Sequence, residues 1–230
     1  MLRDFEHMEI YHYEIQMKNI VIIGAGDLGK EVAWLIEDIN KTRPTYLILG
    51  FLDDDVSKSQ TSFWGYKVLG KIDQLEWLHS KMSFSAVLAI QDGSVRRKIV
   101  ESYSQFDNWE TIIHPTAVIA SSSVIGKGCI LFPQVTLSVD SRIGSFCLFY
   151  IRSTVCNDCI IGNYISLMTG ASISEHAEIG DGCVLASGAC VYPNTHLGRY
   201  SVVAVEATVE RDYDEGSMIG EKGTGFYLVK

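Results

Sequence analysis

Residues 155–179 read VCNDCIIGNYISLMTGASISEHAEI, and within them Val155, Ile161, Leu167, Ile173 and Ile179 stand six apart. The spacing extends in both directions, so that from Ile113 to Val209 every sixth residue is Ile, Leu, Val or Phe. Two places before most of these stops sits a small residue, as at Cys129, Ser141, Cys147, Ser153, Cys159, Ala171, Ala177 and Cys183; Val135, Ile165 and Thr195 are larger. An aliphatic residue followed by Gly recurs every eighteen positions, at Ile125-Gly126, Ile143-Gly144, Ile161-Gly162, Ile179-Gly180 and Leu197-Gly198. Eighteen is three sixes. The pattern predicts a triangular solenoid of about five coils, each six-residue segment giving one short parallel strand and a corner. Such a coil buries its aliphatic residues only by stacking on the next.

Composition narrows the partners. With 230 residues, 47% hydrophobic, and a net charge of −9, the chain reads as a globular protein with no nucleic-acid partner. The longest basic run, Arg96-Arg97-Lys98, fits the polar face of an amphipathic helix. No apolar run approaches the roughly 20 residues that span a bilayer, so membrane insertion is not expected. Four of the six cysteines, Cys129, Cys147, Cys159 and Cys183, share the small inward phase of the hexad, and no CxxC knuckle exists. They are expected to be reduced and structural, with no metal and a cytoplasmic location.

Upstream of the repeat, residues 1–16 show no apolar period and are expected to be a poorly ordered extension. Residues 17–110 read as a Rossmann-like mononucleotide domain. A strand at Asn19–Ile23 runs into Gly24-Ala25-Gly26-Asp27-Leu28-Gly29 and a helix through Val32, Leu35, Ile36 and Ile39. Small residues there let backbone N–H groups and a helix N-terminus approach an anion. A second strand, Tyr46–Leu52, ends in Asp53-Asp54-Asp55, where a carboxylate is placed to accept from a ribose hydroxyl; a solvated acidic loop is the other reading. A helix around Asp73–Leu78, a strand at Ala86–Ile90 and a helix from Ser94 to Phe106, with Val95, Ile99 and Val100 inward, complete the domain.

The two halves together resemble the sialic-acid O-acetyltransferases and nucleotide-amino-sugar N-acetyltransferases of bacterial surface-glycan pathways. The matching stretches are Gly24-Ala25-Gly26 with Gly29-Lys30-Glu31-Val32-Ala33, Gly50-Phe51-Leu52-Asp53-Asp54, Val68-Leu69-Gly70, His114-Pro115-Thr116-Ala117-Val118 and Asn157-Asp158-Cys159-Ile160-Ile161-Gly162. The resemblance implies a left-handed parallel β-helix acyltransferase domain over 111–230, with a C-terminal tail, in a homotrimer. It also implies a nucleotide-linked amino sugar held by Gly24 to Gly29 with Asp53 and Asp54, and acetyl-CoA in a groove between neighbours, near Ser166, Ser174 and Glu175. Chemistry would be direct transfer, with a histidine oriented by the next carboxylate taking the acceptor's proton.

The chain departs from that pattern where the histidine belongs. It has Asn157-Asp158 there, Ser166 at the second family histidine, Gly220 to Gly225 in place of a C-terminal Gly-x-Pro-Ala-Lys element, and Asp27-Leu28 where Gly-His is usual. Asparagine has no titratable proton and cannot act as a general base. His176 lies nineteen residues on, one coil plus one position, and is the candidate replacement, with Glu175 to orient its ring; a plain polar corner is the other reading. An amine acceptor supplies its own lone pair, whereas a hydroxyl must lose its proton as it attacks. The expected activity is therefore N-acetyl transfer from acetyl-CoA to a nucleotide-linked amino sugar. The alternative is a catalytically silent, sugar-nucleotide-binding relative.

Overall fold

The computed structural model describes residues 17–58 and 62–220. The extension at 1–16 and the Gly-rich stretch after Gly220 lie outside the described residues. The N-terminal α/β domain runs β1 (Lys18–Ile23), α1 (Asp27–Thr42), β2 (Tyr46–Leu52), β3 (Ser62–Phe63), β4 (Tyr66–Gly70), α2 (Leu75–Lys81), β5 (Ser85–Leu88) and α3 (Gly93–Ser102). A short 3₁₀ turn over Ile72–Gln74 leads into α2, where the sequence predicted one helix. The sheet order is β3-β4-β2-β1-β5, with β3 antiparallel to β4 and the other pairs parallel. Ile20 to Ile23 are all fully buried because both faces of β1 are covered. α1 covers one face through Val32, Leu35 and Ile36, while Leu75, Ile99 and Phe106 cover the other. β2 and β5 flank β1 on opposite sides, so the glycine turn after β1 opens at the crevice where the chain reverses its winding.

From Ile112 the chain winds into a three-sided prism of short parallel strands. One face has seven strands, from Ile112–Ile113 to Met218–Ile219. A second has six, from Val118–Ile119 to Thr208–Val209, and a third has five, from Val124–Ile125 to His196–Leu197. Partners are eighteen residues apart in sequence, as in Ile143 with Ile161 and Ile161 with Ile179. The inward stops from Leu131 to Val209 form one continuous core, and Cys129, Cys147, Cys159 and Cys183 fill its small positions. Their thiols donate to carbonyls in the adjoining coil, Cys147 Sγ to Gly162 O at 3.2 Å among them.

Three details differ from the sequence reading. Ile113, the first stop, is 37% exposed because no coil lies beneath it, and its neighbour Ile112 is buried instead under the α/β domain. In α3 Ile99 and Val100 face inward as expected, but it is Arg96, 2% exposed, and not Val95 that joins them. The helix also ends at Ser102, short of Phe106.

The reason for the second change lies at the junction of the halves. Ile112, Ile130 and Leu148 project from the seven-strand face into the same cluster as Leu28 and Val32. Arg96 reaches across this seam: Nε donates to Phe146 O at 3.0 Å, and Nη1 to Ile90 O at 2.8 Å and Gln91 O at 2.7 Å. Its Nη2 donates to Tyr164 O, Ile165 O and Ser166 Oγ, at 3.0, 3.1 and 3.1 Å. Buried carbonyls need donors, and a guanidinium supplies five from one side chain. Burial pushes the Arg96 pKa down, yet a guanidinium remains charged in a protein. At the start of α3, a Cβ on Gly93 would lie 2.4 Å from Tyr164 O, so glycine is what lets helix and solenoid meet. A parallel bridge between Ala86 and Trp109 and the ion pair of Lys18 with Glu110 continue the sheet into the linker.

Candidate active site

Two places carry the residues singled out in the sequence. At the first, Gly24 has φ +104, and a Cβ there would meet Ala89 O at 2.7 Å. A Cβ on Gly29 would lie 2.3 Å from Gly24 O, so α1 packs directly on the turn. Gly26 is the N-cap residue of α1 with no side-chain cap, and the space over its Cα is open. Ala25 N donates to Asp53 Oδ2 at 2.6 Å, Asp55 N to Asp53 Oδ1 at 2.8 Å, and Lys58 pairs with Asp53 at 3.2 Å. Asp54 Oδ1 accepts from Ile72 N at 3.0 Å. Asp53 and Asp54 therefore brace the crevice wall, while Asp54 and Asp55 remain exposed at its rim.

Asp27 projects from the first turn of α1 and pairs with Lys30 at 3.2 Å. Leu28 is buried in the same cluster as Val32, Leu35 and Ile36. Burial first, and then the Asp27 charge, raises the Glu31 pKa.

The second place is the corner between the six-strand and five-strand faces. Asp158 and His176 both sit at φ +58, each at the left-handed turn position of its coil. Being eighteen apart, they stack, and His176 Nδ1 lies 3.9 Å from Asp158 Oδ2. Asn157 Nδ2 donates to that same oxygen at 2.8 Å, and His176 N donates to Asn157 O at 3.1 Å. The sequence expected Glu175 to orient the ring; the carboxylate that faces it is Asp158, while Glu175 stacks in register with Asn157. The His176 side chain is 53% exposed and open to a substrate.

From this corner a shallow cavity of about 690 Å³ runs along the five-strand face past Ser122, Val124, Asp140, Arg142, Asp158 and Ile160. It offers apolar wall at Val124 and Ile160, a cation at Arg142, and a carboxylate at its end. Arg142 escaped the sequence reading, although its phase, one place before the inward Ile143, already marked it as outward-facing. Ser174 and Glu175 are half-buried beside the corner. Ser166 does not belong with them. It is 1% exposed beneath the α/β domain, its hydroxyl bonded to Arg96 and to Gln91 O, so a contact with an acyl donor is closed to it.

His114 also serves elsewhere: Nε2 is 2.8 Å from Asp38 Oδ2 and Nδ1 is 2.8 Å from Thr116 Oγ1, tying α1 to the first coil. Among the described residues no group of three or more His, Cys, Asp or Glu side chains is placed to hold a metal ion, and no helix is long and apolar enough to cross a membrane.

A glycine-turn α/β domain packed against a hexapeptide solenoid is the build this chain shares with the hexapeptide-repeat sugar acyltransferases, to which it is similar. Residues 19–103 match the PglD N-terminal domain family. Over 117 residues the chain is 31% identical to UDP-N-acetylbacillosamine N-acetyltransferase of Bacillus subtilis, covering 50% of this chain and 51% of that protein, so the match spans about half the length of the curated relative.

Among solved structures, the acetyltransferase domain of PglB from Neisseria gonorrhoeae, in complex with acetyl coenzyme A, superposes with a TM-score of 0.79 at 26% identity, covering 88% of this chain and 96% of that one. A histidine-to-asparagine variant of perosamine N-acetyltransferase from Caulobacter crescentus, in complex with CoA and GDP-perosamine, gives 0.79 at 25% identity, with 90% and 99% covered. WeeI from Acinetobacter baumannii gives 0.77 at 26%, with 88% and 96% covered. The solenoid is the left-handed parallel β-helix that the resemblance implies.

Proposed function

We propose that this chain transfers the acetyl group of acetyl-CoA to the amino group of a nucleotide-linked sugar in the assembly of bacterial surface glycans. The observation that carries the reading is the likeness over about nine-tenths of the chain to two sugar N-acetyltransferases, one holding acetyl-CoA and the other CoA with a GDP-linked amino sugar. The second of these keeps both ligands with an asparagine in place of one histidine. Replacing a histidine by asparagine thus leaves that protein able to hold CoA and a sugar nucleotide, which supports a ligand-holding site in this chain.

In this reading the turn from Gly24 to Gly29, backed by Asp53 and Asp54, receives the nucleotide of the sugar. Acetyl-CoA lies along the groove of Val124, Arg142 and Ile160, with its thioester at the Asp158 corner. The acceptor amine attacks the thioester carbonyl, a C–N bond forms, and the C–S bond breaks as the thiolate leaves. His176 takes the proton that the new amide must shed, and the Asp158 carboxylate steadies the resulting imidazolium. Asn157, donating to Asp158, fixes that carboxylate in place. A backbone N–H at the corner serves the oxyanion.

The groove is open along one side, and a second copy of the chain is what closes it; we assign the working form as a homotrimer. Six unpaired cysteines among the described residues suit a reducing, cytoplasmic setting. Release of free CoA thiol from acetyl-CoA with a panel of UDP-, dTDP- and GDP-linked amino sugars tests the proposal. Turnover with one of them is expected. Binding of sugar nucleotide and CoA without turnover would leave a silent scaffold instead.

A further inference from the structure

The corner between the five-strand and seven-strand faces carries a ladder of rings with one rung missing. Its stacked positions are Gly128, Phe146, Tyr164, Gly182 and Tyr200, each eighteen residues after the last. Each ring leans back over the residue one coil earlier. Phe146 lies over Gly128, where a Cβ would be 2.4 Å from the ring. Tyr164 stacks on Phe146 with centroids 5.4 Å apart and planes 6° apart. Tyr200 lies over Gly182, where a Cβ would be 2.6 Å from the ring. Gly182 brings no ring of its own, so the place above Tyr164 is empty. Coils advance by about 4.8 Å, which leaves Tyr164 and Tyr200 separated by the space of one further ring.

A cavity of about 490 Å³ opens at this gap, between the corner and α3. Lys98, Arg199, Glu101 and Asp181 line it with the two tyrosines. Arg97 donates to the Tyr200 hydroxyl and pairs with Glu101 at 2.7 Å, which holds the upper ring in position. Lys98 and Arg199 make no ion pair with any described residue. The end of α3 is not the attraction, since the Asp92 side chain already accepts from Ser94 N and Val95 N.

We propose that the gap is a nucleotide site, in which a base stacks between Tyr164 and Tyr200 and its phosphate pairs with Lys98 and Arg199. Aromatic faces that sandwich a flat ring, with cations at the rim, are the arrangement that holds bases without reading their sequence. Of the two carboxylates, Asp181 Oδ1 already accepts from Asn163 N and Nδ2, at 2.7 and 3.2 Å, and Glu101 is held by Arg97. The site is on a different corner from the Asp158–His176 pair, and the proposal does not depend on acetyl transfer. Its ligand chemistry is shared by the nucleotide portion of CoA and by that of a sugar nucleotide.

Calorimetric titration of the full chain with 3′,5′-ADP, UDP and GDP tests it. At least one is expected to bind with Kd below about 1 mM; binding of 3′,5′-ADP points to CoA as the natural source, and of UDP or GDP to the sugar nucleotide. Gly182→Tyr supplies the missing ring at φ +70, close to the +59 that Phe146 and Tyr164 adopt. It is expected to weaken binding at least about tenfold by filling the gap. Should that variant fail to unfold cooperatively, Tyr200→Ala, which removes one wall, decides by the same criterion. No binding by any of the three nucleotides, or an isotherm that Gly182→Tyr and Tyr200→Ala leave unchanged in both stoichiometry and affinity, overturns the proposal. Because the readout is binding of free nucleotide, failure here leaves the acetyl-transfer test untouched.

Discussion

Asn157 and His176 meet at one carboxylate oxygen of Asp158. The asparagine holds Asp158 at 2.8 Å, and the imidazole stands 3.9 Å from the same oxygen. If His176 takes the proton, His176→Ala lowers kcat by about 10²- to 10⁴-fold with little change in KM. Asn157→His, with Asp158 already beside it, raises kcat. Should both leave kcat unchanged in a thiol-release assay, proton transfer does not limit this protein.

His176 also sits in a conformation that costs an L-residue about 1–2 kcal/mol relative to glycine. His176→Gly is therefore expected to match or exceed the parent in thermal stability while losing activity, a split that calorimetry and the thiol assay read separately. That Asn157 and His176 share one edge is legible from their spacing of nineteen, one coil plus one position. Arg96 is not. Its run of three basic residues reads as a solvated face because the carbonyls that recruit it, at Phe146, Tyr164 and Ile165, lie far along the chain. Arg96→Met strands those carbonyls and is expected to cost about 3 kcal/mol or more in chemical denaturation.

At the scale of elements, the hexad phase decides stability. Ile161 is 3% exposed between Ile143 and Ile179, and a carboxylate there has no partner. Ile161→Asp is expected to abolish soluble, cooperatively folding protein, since desolvation of an unpaired charge costs several kcal/mol. The link between α1 and the first coil adds a pH dependence. Hydrogen bonds from His114 first, and then Lys41, hold the Asp38 carboxyl below the usual carboxylate range. A depressed folded pKa means the stabilisation is present above the unfolded value of about 3.9 and lost as pH falls through the folded one. Tm is thus expected to drop on acidification below about pH 4, with a shallower drop in Asp38→Asn. Strand positions in the solenoid were readable because period and burial coincide there. On α3, Ile99 and Val100 were readable as inward but Arg96 was not, since apolarity favours Val95 and only the seam's hydrogen-bond demand turns Arg96 inward.

For the whole molecule, light scattering at micromolar concentration is expected to give roughly three times the 25.6 kDa chain mass; a monomeric mass would remove the second wall of the groove. The two-part organisation could be read from composition and repeats, because each half has its own period. Their mutual orientation could not, being set by Gly93, Arg96 and the apolar face of Ile112, Ile130 and Leu148. The eighteen-residue register carries a rule about how such a chain can change length. Removing eighteen residues shortens the prism by about 4.8 Å and returns every later side chain to the face it held. Removing six turns everything downstream through a third of a revolution, sending Asp158's neighbours to a different side. Changes of length that keep the prism's faces in register are thus quantised: whole coils, or bulges confined to a corner.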